Sequence, residues 1–440
     1  MKEIKVYGAG LAGCEAAYQA AERGVHVKLY EMKPIKYTPA HHSENFAELV
    51  CSNSLRSDRV YNAVGLLKEE LSRMGSLIME AAYASRVPAG SALAVDRNAF
   101  SEYVTGKIRN HKNIEIICEE VADINDGEIT VVATGPLTSD RFAEYIEKTL
   151  GCGKLHFFDA AAPIVDFSSI DMDKAFFASR YDKCDADYIN CPMDREEYDA
   201  FYGALISAKE AELKDFDRTQ QQDLTVFEGC MPVEVMAKRG YDTLRYGPMK
   251  PVGLTDPRTG KEYYAVVQLR QDNAEKTMYN IVGFQTHLTF EEQRRVFRMI
   301  PGLENAEFLR YGVMHRNTYI NSPELLDATY AMRERPDVFF AGQMTGVEGY
   351  IESAGSGFVA GINAARRAKG EDAFVFPRKL MLGAMGDYVS RGGNSSFQPM
   401  NANFGIIEPL EKRVKGGKTA RNDALAARSL EAVEEIKKLI

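Results

Sequence analysis

Apolar and polar positions alternate along this chain in blocks that read as strand, helix and strand from the start. Val6–Gly13 (V-Y-G-A-G-L-A-G) is the end of an apolar strand running into a glycine turn. An Ala-rich stretch, Glu15–Ala21, has the small residues of a buried helix, and Val27–Glu31 (V-K-L-Y-E) is a strand that closes on an acid. Ile114–Cys118 and Ile129–Thr134 read as further strands, the second running into A-T-G at Ala133–Gly135. The texture changes from about Phe167 to Pro323. There, charged helical stretches (Asp194–Asp215, Phe290–Met299) mix with strand-like ones (Tyr263–Leu269, Met278–Val282), as in an inserted α+β domain. The first pattern then resumes with the apolar strand Val338–Ala341, a glycine-rich segment and a small-residue helix, Phe358–Arg367. The expected division is therefore 1–166, 167–323 and 324–440, with the outer two parts forming one α/β unit.

The first block carries the fingerprint of a dinucleotide-binding βαβ unit. Gly8 allows the tight turn, Gly10 lets backbone approach a pyrophosphate, and Gly13 lets the helix pack close to its strand. Ala9, Leu11 and Ala12 complete the turn, and Glu31, eighteen positions after Gly13, is placed to accept a ribose hydroxyl. Thr134 and Gly135 end a strand where backbone can approach the same ligand. The late segment G-Q-M-T-G-V-E-G-Y-I-E-S-A-G-S-G brings a helix N-terminus toward an anion or a polarised carbonyl. Gly342, Gly349 and Glu352 are its candidate cofactor contacts. No second G-x-G-x-x-G unit follows, so one dinucleotide is held permanently, and any nicotinamide binds by other means. These features predict a Rossmann-like FAD-binding domain of the glutathione-reductase type, split by the inserted domain.

Composition narrows the class. The 440 residues contain no apolar run of about eighteen, so no membrane span is expected. The first strand begins within a few residues, so no leader is expected either. Seven cysteines form no C-x-x-C pair and no Cys/His ligand spacing. That pattern suggests free thiols in a reducing cytoplasm and no metal site. The net charge of −9 does not advertise nucleic-acid binding, yet Lys238–Arg316 holds 13 Lys and Arg against 9 Asp and Glu. By itself this count favours ordinary solvated charge over a docking face for a polyanion.

Two thiols have reactive-looking contexts. Cys51 lies in E-L-V-C-S-N-S-L-R-S-D (Glu48–Asp58), with Arg56 and Arg59 close behind, and nearby cations favour a thiolate. Cys230 lies in F-E-G-C-M-P-V-E-V-M-A (Phe227–Ala237), just before a helix expected to have Pro232 near its first turn. From spacing alone, cysteines in such positions are more often buried and structural. Cys14 reads as helix packing and Cys118 as strand core.

These segments together resemble the bacterial folate- and FAD-dependent tRNA (uracil-5-)-methyltransferases, nearly end to end. The two cysteine blocks carry the resemblance, with D-T-L-R-Y-G-P-M-K-P-V-G-L (Asp242–Leu254), A-V-V-Q-L-R-Q (Ala265–Gln271), G-Q-M-T-G-V-E-G-Y-I-E-S (Gly342–Ser353) and P-M-N-A-N-F-G (Pro399–Gly405). It implies formation of 5-methyluridine in the tRNA T loop. The one-carbon unit would come from 5,10-methylenetetrahydrofolate, and the reducing equivalents from NADPH or NADH through FAD. The family's two functional cysteines fall on Cys51 and Cys230. We assign Cys230 to attack on uracil C6 and Cys51 to the partner thiol, the reverse remaining open. The resemblance also raises Lys238, Arg239, Arg245 and Lys250 as tRNA-facing candidates. No obligate protein partner is expected. The same chemistry on ribosomal RNA, or a non-catalytic flavin-holding RNA-binding protein, are the rival expectations.

Overall fold

A computed structural model describes residues 2–38, 40–150, 154–182, 185–211, 231–391, 397–412 and 414–440. Its first sheet has five parallel strands, in the order Val338–Phe340, Ile129–Val132, Ile4–Tyr7, Val27–Glu31, Ile114–Cys118. The strand Val338–Phe340 thus returns from the far end of the chain to extend the N-terminal βαβ unit. A second sheet has six antiparallel strands, in the order Phe176–Ala178, Tyr188–Met193, Ala265–Gln271, Met278–Ile281, Ile164–Asp166, Phe308–Arg310. Ile164–Asp166, before the expected boundary at 167, pairs in this second sheet. An antiparallel ribbon, Lys154–Ala160 with Met314–Ile320, carries the chain out of the first part and back. A small antiparallel sheet, Ser54–Ser57, Ala92–Val95 and Arg86–Val87, completes the framework.

Two helices pack on each other beside the parallel sheet, and their small residues explain how closely. The helix Leu11–Glu22 is almost wholly buried, as its Ala-rich sequence requires. It lies against Tyr350–Lys369, which starts eight residues before the expected Phe358. The reason for the difference is legible in the contacts. A Cβ on Gly357 would stand 2.2 Å from the Ala12 carbonyl oxygen, and one on Gly361 would stand 2.5 Å from that of Ala16. These glycines belong to a helix–helix contact and not to a turn. In the inserted part, the expected helix from Asp194 is Arg195–Ile206, opened by a capping box between Asp194 and Glu197. Residues 212–215 of the expected helix lie outside the described residues. Cys14 is buried, as expected. Cys118 is exposed, because its strand is the sheet edge and the thiol sits at its last residue.

Buried carboxylates pin the helices together. Glu15 accepts from the Ser76 hydroxyl (2.7 Å) and the Ile78 N–H (2.9 Å). Glu70 accepts from the N–H groups of Met381 (2.7 Å) and Leu382 (3.0 Å), at the start of the helix Met381–Ser390, and from the Ser429 hydroxyl on the last helix, Gly417–Ile436. Burial pushes the Glu70 carboxyl up to about 7 from its usual 4.5. A folded pKa above the unfolded one stabilises fully below pH 4.5, and that contribution is lost as pH rises through 7. We therefore expect the melting-temperature advantage of the native protein over Glu70→Gln to shrink between pH 5 and pH 8. A difference that stays constant or grows over that range would contradict this.

Candidate active site

The glycine turn, the acid at the end of the second strand and the late glycine segment enclose one cleft of ≈ 1160 Å³. Gly8 has φ +95°, a conformation side chains rarely adopt, and a Cβ there would meet the Ala133 carbonyl oxygen at 2.6 Å. Gly10 caps the helix Leu11–Glu22, and a Cβ on it would meet nothing within 4 Å. That open approach to a helix N-terminus is what a pyrophosphate needs. Glu31 closes the floor of the turn, accepting from the N–H groups of Ala9 (2.9 Å) and Lys33 (3.0 Å). Thr134, Gly135 and Gly342 line the same cleft, as do Ala9, Leu11 and Ala12. Gly13 is behind the wall: a Cβ on it would stand 1.8 Å from the Gly8 carbonyl oxygen. The donors, the acid and the open glycine cradle fit a dinucleotide.

A second cleft, of ≈ 1530 Å³, opens between the two sheets. Gln343, Tyr350 and Ser353 line both clefts and form the partition between them. Cys51 lines the second cleft, and its backbone is held from several sides. Its N–H donates to the Tyr350 hydroxyl at 2.8 Å, and its carbonyl accepts from Arg97 at 3.2 Å. On either side, Arg310 donates to the Val50 carbonyl (2.8 Å) and Arg270 to the Ser52 hydroxyl (2.8 Å). The Tyr350 hydroxyl accepts from the Ser52 N–H as well, and burial pushes its phenol up. Arg97 is itself tied to the buried Asp272 at 2.8 Å, and Arg270 to Asn53 at 3.0 Å. Asn53 in turn donates to the carbonyls of Val95 and Gln271. Three guanidinium groups and one amide thus fasten the cysteine loop to the inserted sheet.

The other expected site residues divide between these clefts. Gly349 and Glu352 line the second cleft and not the dinucleotide one. Glu352 is fully buried, accepting from Arg56 (3.2 Å) and from the Ala402 N–H (3.0 Å). Arg56 is thereby committed to Glu352 and the Glu348 carbonyl, where the sequence suggested a neighbour for the Cys51 thiol. Gly349 has φ +112°, a conformation side chains rarely adopt, and a Cβ there would displace the Arg56 guanidinium. Beneath Arg56, the buried ammonium of Lys68 donates to the carbonyls of Arg56 (3.2 Å) and Ser57 (2.6 Å). Burial lowers that ammonium to about 8.

Cys230 lies outside the described residues. Its neighbour Met231 lines the second cleft, and Pro232 does cap a short helix, Val233–Lys238. Met236 on that helix and Pro248 of the basic segment line the cleft too. Arg239 is exposed, and Lys238 is exposed but paired with Glu210. Arg245 lies 3.6 Å over the Tyr264 ring and bonds Asp242 (2.6 Å) and the Tyr264 carbonyl (2.9 Å), which makes it a brace within its own part. Lys250 is partly exposed, its carbonyl accepting from Arg180. Sequence reasoning missed Arg97, Arg270, Asn280, Arg310 and Tyr350. Arg270 and Asn53 did lie in quoted blocks, but nothing in the two blocks announces that they meet.

Comparisons with known proteins agree with this architecture. Residues 3–372 match the family model described as glucose inhibited division protein A. The chain is 62% identical to "Methylenetetrahydrofolate--tRNA-(uracil-5-)-methyltransferase TrmFO" of Acetivibrio thermocellus, over 98% of both chains. It is 58% identical to the protein of that name from Ligilactobacillus salivarius, over 99% of this chain and 98% of the other. Among solved structures, GidA of Aquifex aeolicus in two crystal forms superposes with TM-scores of 0.71 and 0.70 at 18% identity. Those matches cover 99% of this chain and 73% and 76% of GidA, and show a shared fold. The α/β fold read from the glycine turn and the resemblance read from the motif blocks are both borne out. The chain belongs to the glucose inhibited division protein A family and, within it, to the TrmFO proteins.

Proposed function

We propose that this chain methylates C5 of a uridine in the T loop of tRNA, taking the carbon from 5,10-methylenetetrahydrofolate. What carries the reading is near-full-length identity of 57–62% to proteins all named for that reaction. The two clefts meeting at Tyr350 support it, since the reaction needs a dinucleotide beside a thiol-lined pocket. Bound in the first cleft, FAD would supply hydride drawn from NADPH or NADH. The glycine turn of Gly8–Gly13 and Glu31 would hold its pyrophosphate and ribose, with Thr134, Gly135 and Gly342 along the wall. Gly349 and Glu352 shape the second cleft in this reading, and are proposed to act on the cofactor only through that wall.

Uracil C5 is a poor nucleophile until a thiolate adds at C6. Cys230 is proposed for that addition, its sequence neighbour Met231 being a residue of the second cleft. Cys51, held by Tyr350 and Arg97, is proposed to take H5 or to guard the one-carbon unit. The target base must be turned out of its loop, at a cost of a few kcal/mol, and phosphate contacts offset this. Lys238, Arg239 and Lys250 are proposed for such contacts ahead of Arg245, which braces its own part. No helix among the described residues is long and apolar enough to cross a membrane. Action in the cytoplasm, without an obligate protein partner, is part of the proposal.

The test uses methylenetetrahydrofolate labelled in its methylene carbon, with NADPH and two RNAs, a T-loop tRNA transcript and a ribosomal fragment. Label is expected in 5-methyluridine of the tRNA alone. Label only in the ribosomal fragment would move the substrate, and label in neither would overturn the reading.

A further inference from the structure

The inserted sheet turns one row of side chains toward the dinucleotide-binding part. Strand register puts Tyr188, Arg270, Asn280, Ile164 and Arg310 directly opposite one another in successive strands. Opposed residues share a face, with Cβ atoms about 4.5–5.5 Å apart. The polar members of this row reach across in order. Tyr188 donates to the Ala89 carbonyl, Arg270 to Ser52 and Asn53, and Arg310 to the Val50 carbonyl. Arg270 and Arg310 therefore grip the residues on either side of Cys51, and Asn280 stands between them, facing the middle of that grip. Asn280 is 3% exposed and lines the cleft with Cys51. Its amide nitrogen has no hydrogen-bond partner among the described residues. Buried amide donors are rarely left unpaired, because taking one out of water without a partner is costly. A donor kept in that state, in a cleft that the Cys51 loop also lines, calls for an acceptor brought by the ligand.

We propose that the Asn280 amide donates to the O4 carbonyl of the target pyrimidine. This rests on the methyltransferase reading above. When the thiolate sulfur bonds to C6, the C5=C6 pair shifts to C4–C5 and the C4=O4 pair becomes an enolate on O4. No oxidant or reductant is consumed in that step. A preplaced donor gains strength as the oxygen takes up charge, so Asn280 acts on the transition state more than on binding. Arg270, opposite it in the ladder, adds a positive field from the same face.

The experiment compares the native holoenzyme with Asn280→Asp, which keeps the shape and removes the donor, and Asn280→Ala. Three quantities are read: bound flavin absorbance, affinity for the T-loop transcript, and exchange of uridine H5 with solvent in the absence of folate, which reports C6 addition and the proton exchange at C5 that follows it, with no one-carbon transfer. Loss of one such donor lowers rates by about 100- to 1000-fold. We expect that loss in both H5 exchange and methylation, with flavin content and RNA affinity little changed. Unchanged H5 exchange would overturn the proposal. So would a rise in the KM for folate with kcat unchanged, which would place Asn280 against the folate. If the native enzyme itself methylates neither RNA, the parent reading has failed, and this inference falls with it for that separate reason.

Discussion

Gly13→Ala is expected to give a colourless protein that no longer retains flavin on purification. Gly13 sits in the first turn of the helix that follows the dinucleotide turn, and its added Cβ would stand 1.8 Å from the Gly8 carbonyl oxygen. No rotamer change relieves that overlap, because the atom struck is backbone. Either the helix lifts away from its strand or the turn at Gly8 opens. Gly8 has no room to retreat, being pressed against the Ala133 carbonyl. The helix cannot lift freely either, since Gly357 and Gly361 pack at the backbone of Ala12 and Ala16. Overpacking in such a core costs about 1–3 kcal/mol. If that strain is released only by opening the turn, it is charged against cofactor affinity, where each 1.4 kcal/mol is about tenfold. Flavin absorbance per protein and a titration with added FAD check this. Retention of the native flavin content would show that the turn tolerates the shift.

Asp272→Ala is expected to destabilise the fold by about 3–5 kcal/mol, the usual result of stripping one partner from a buried ion pair. Asp272 is fully buried, and its partner Arg97 is nearly so. Arg97 also bonds the carbonyls of Leu49 and Cys51, so the pair links the inserted sheet to the cysteine loop. Leaving its guanidinium uncompensated should loosen both. Methylation is expected to fall alongside stability, while flavin content stays, because no residue of the pair lines the dinucleotide cleft. Chemical denaturation and flavin absorbance measure the two effects separately. A double-mutant cycle with Arg97→Met isolates the coupling. If the double variant is no more stable than the sum of the single losses predicts, the pair carries no special coupling and the argument fails.

The sequence by itself determined the dinucleotide half of this protein. The work there is done by local rules: a strand, a turn that only glycine fits, a helix of small residues and an acid at a fixed distance. Each is set by backbone sterics within about thirty residues, so spacing alone places Gly8, Gly10, Gly13 and Glu31. Long motif blocks likewise sufficed for the family. Tertiary structure decided the rest. Glu352 and Gly349 looked like cofactor contacts because they open a helix after a glycine segment, but the helix start faces the second cleft, where Arg56 claims the carboxylate. Arg56 looked like the thiol's neighbour because four residues separate it from Cys51, but it sits on the irregular strand Ser54–Ser57 and spends its guanidinium on Glu352 and the Glu348 carbonyl. The residues that do hold the Cys51 loop, Arg97, Arg270 and Arg310, come from a distant helix and two strands of another sheet. Asn280 emerges only when strand register shows which face it shares. Pairing across sheets depends on register and face, and a shift of one residue reverses both. A local pattern cannot encode that choice, which is made when the two sheets close on each other around the cleft.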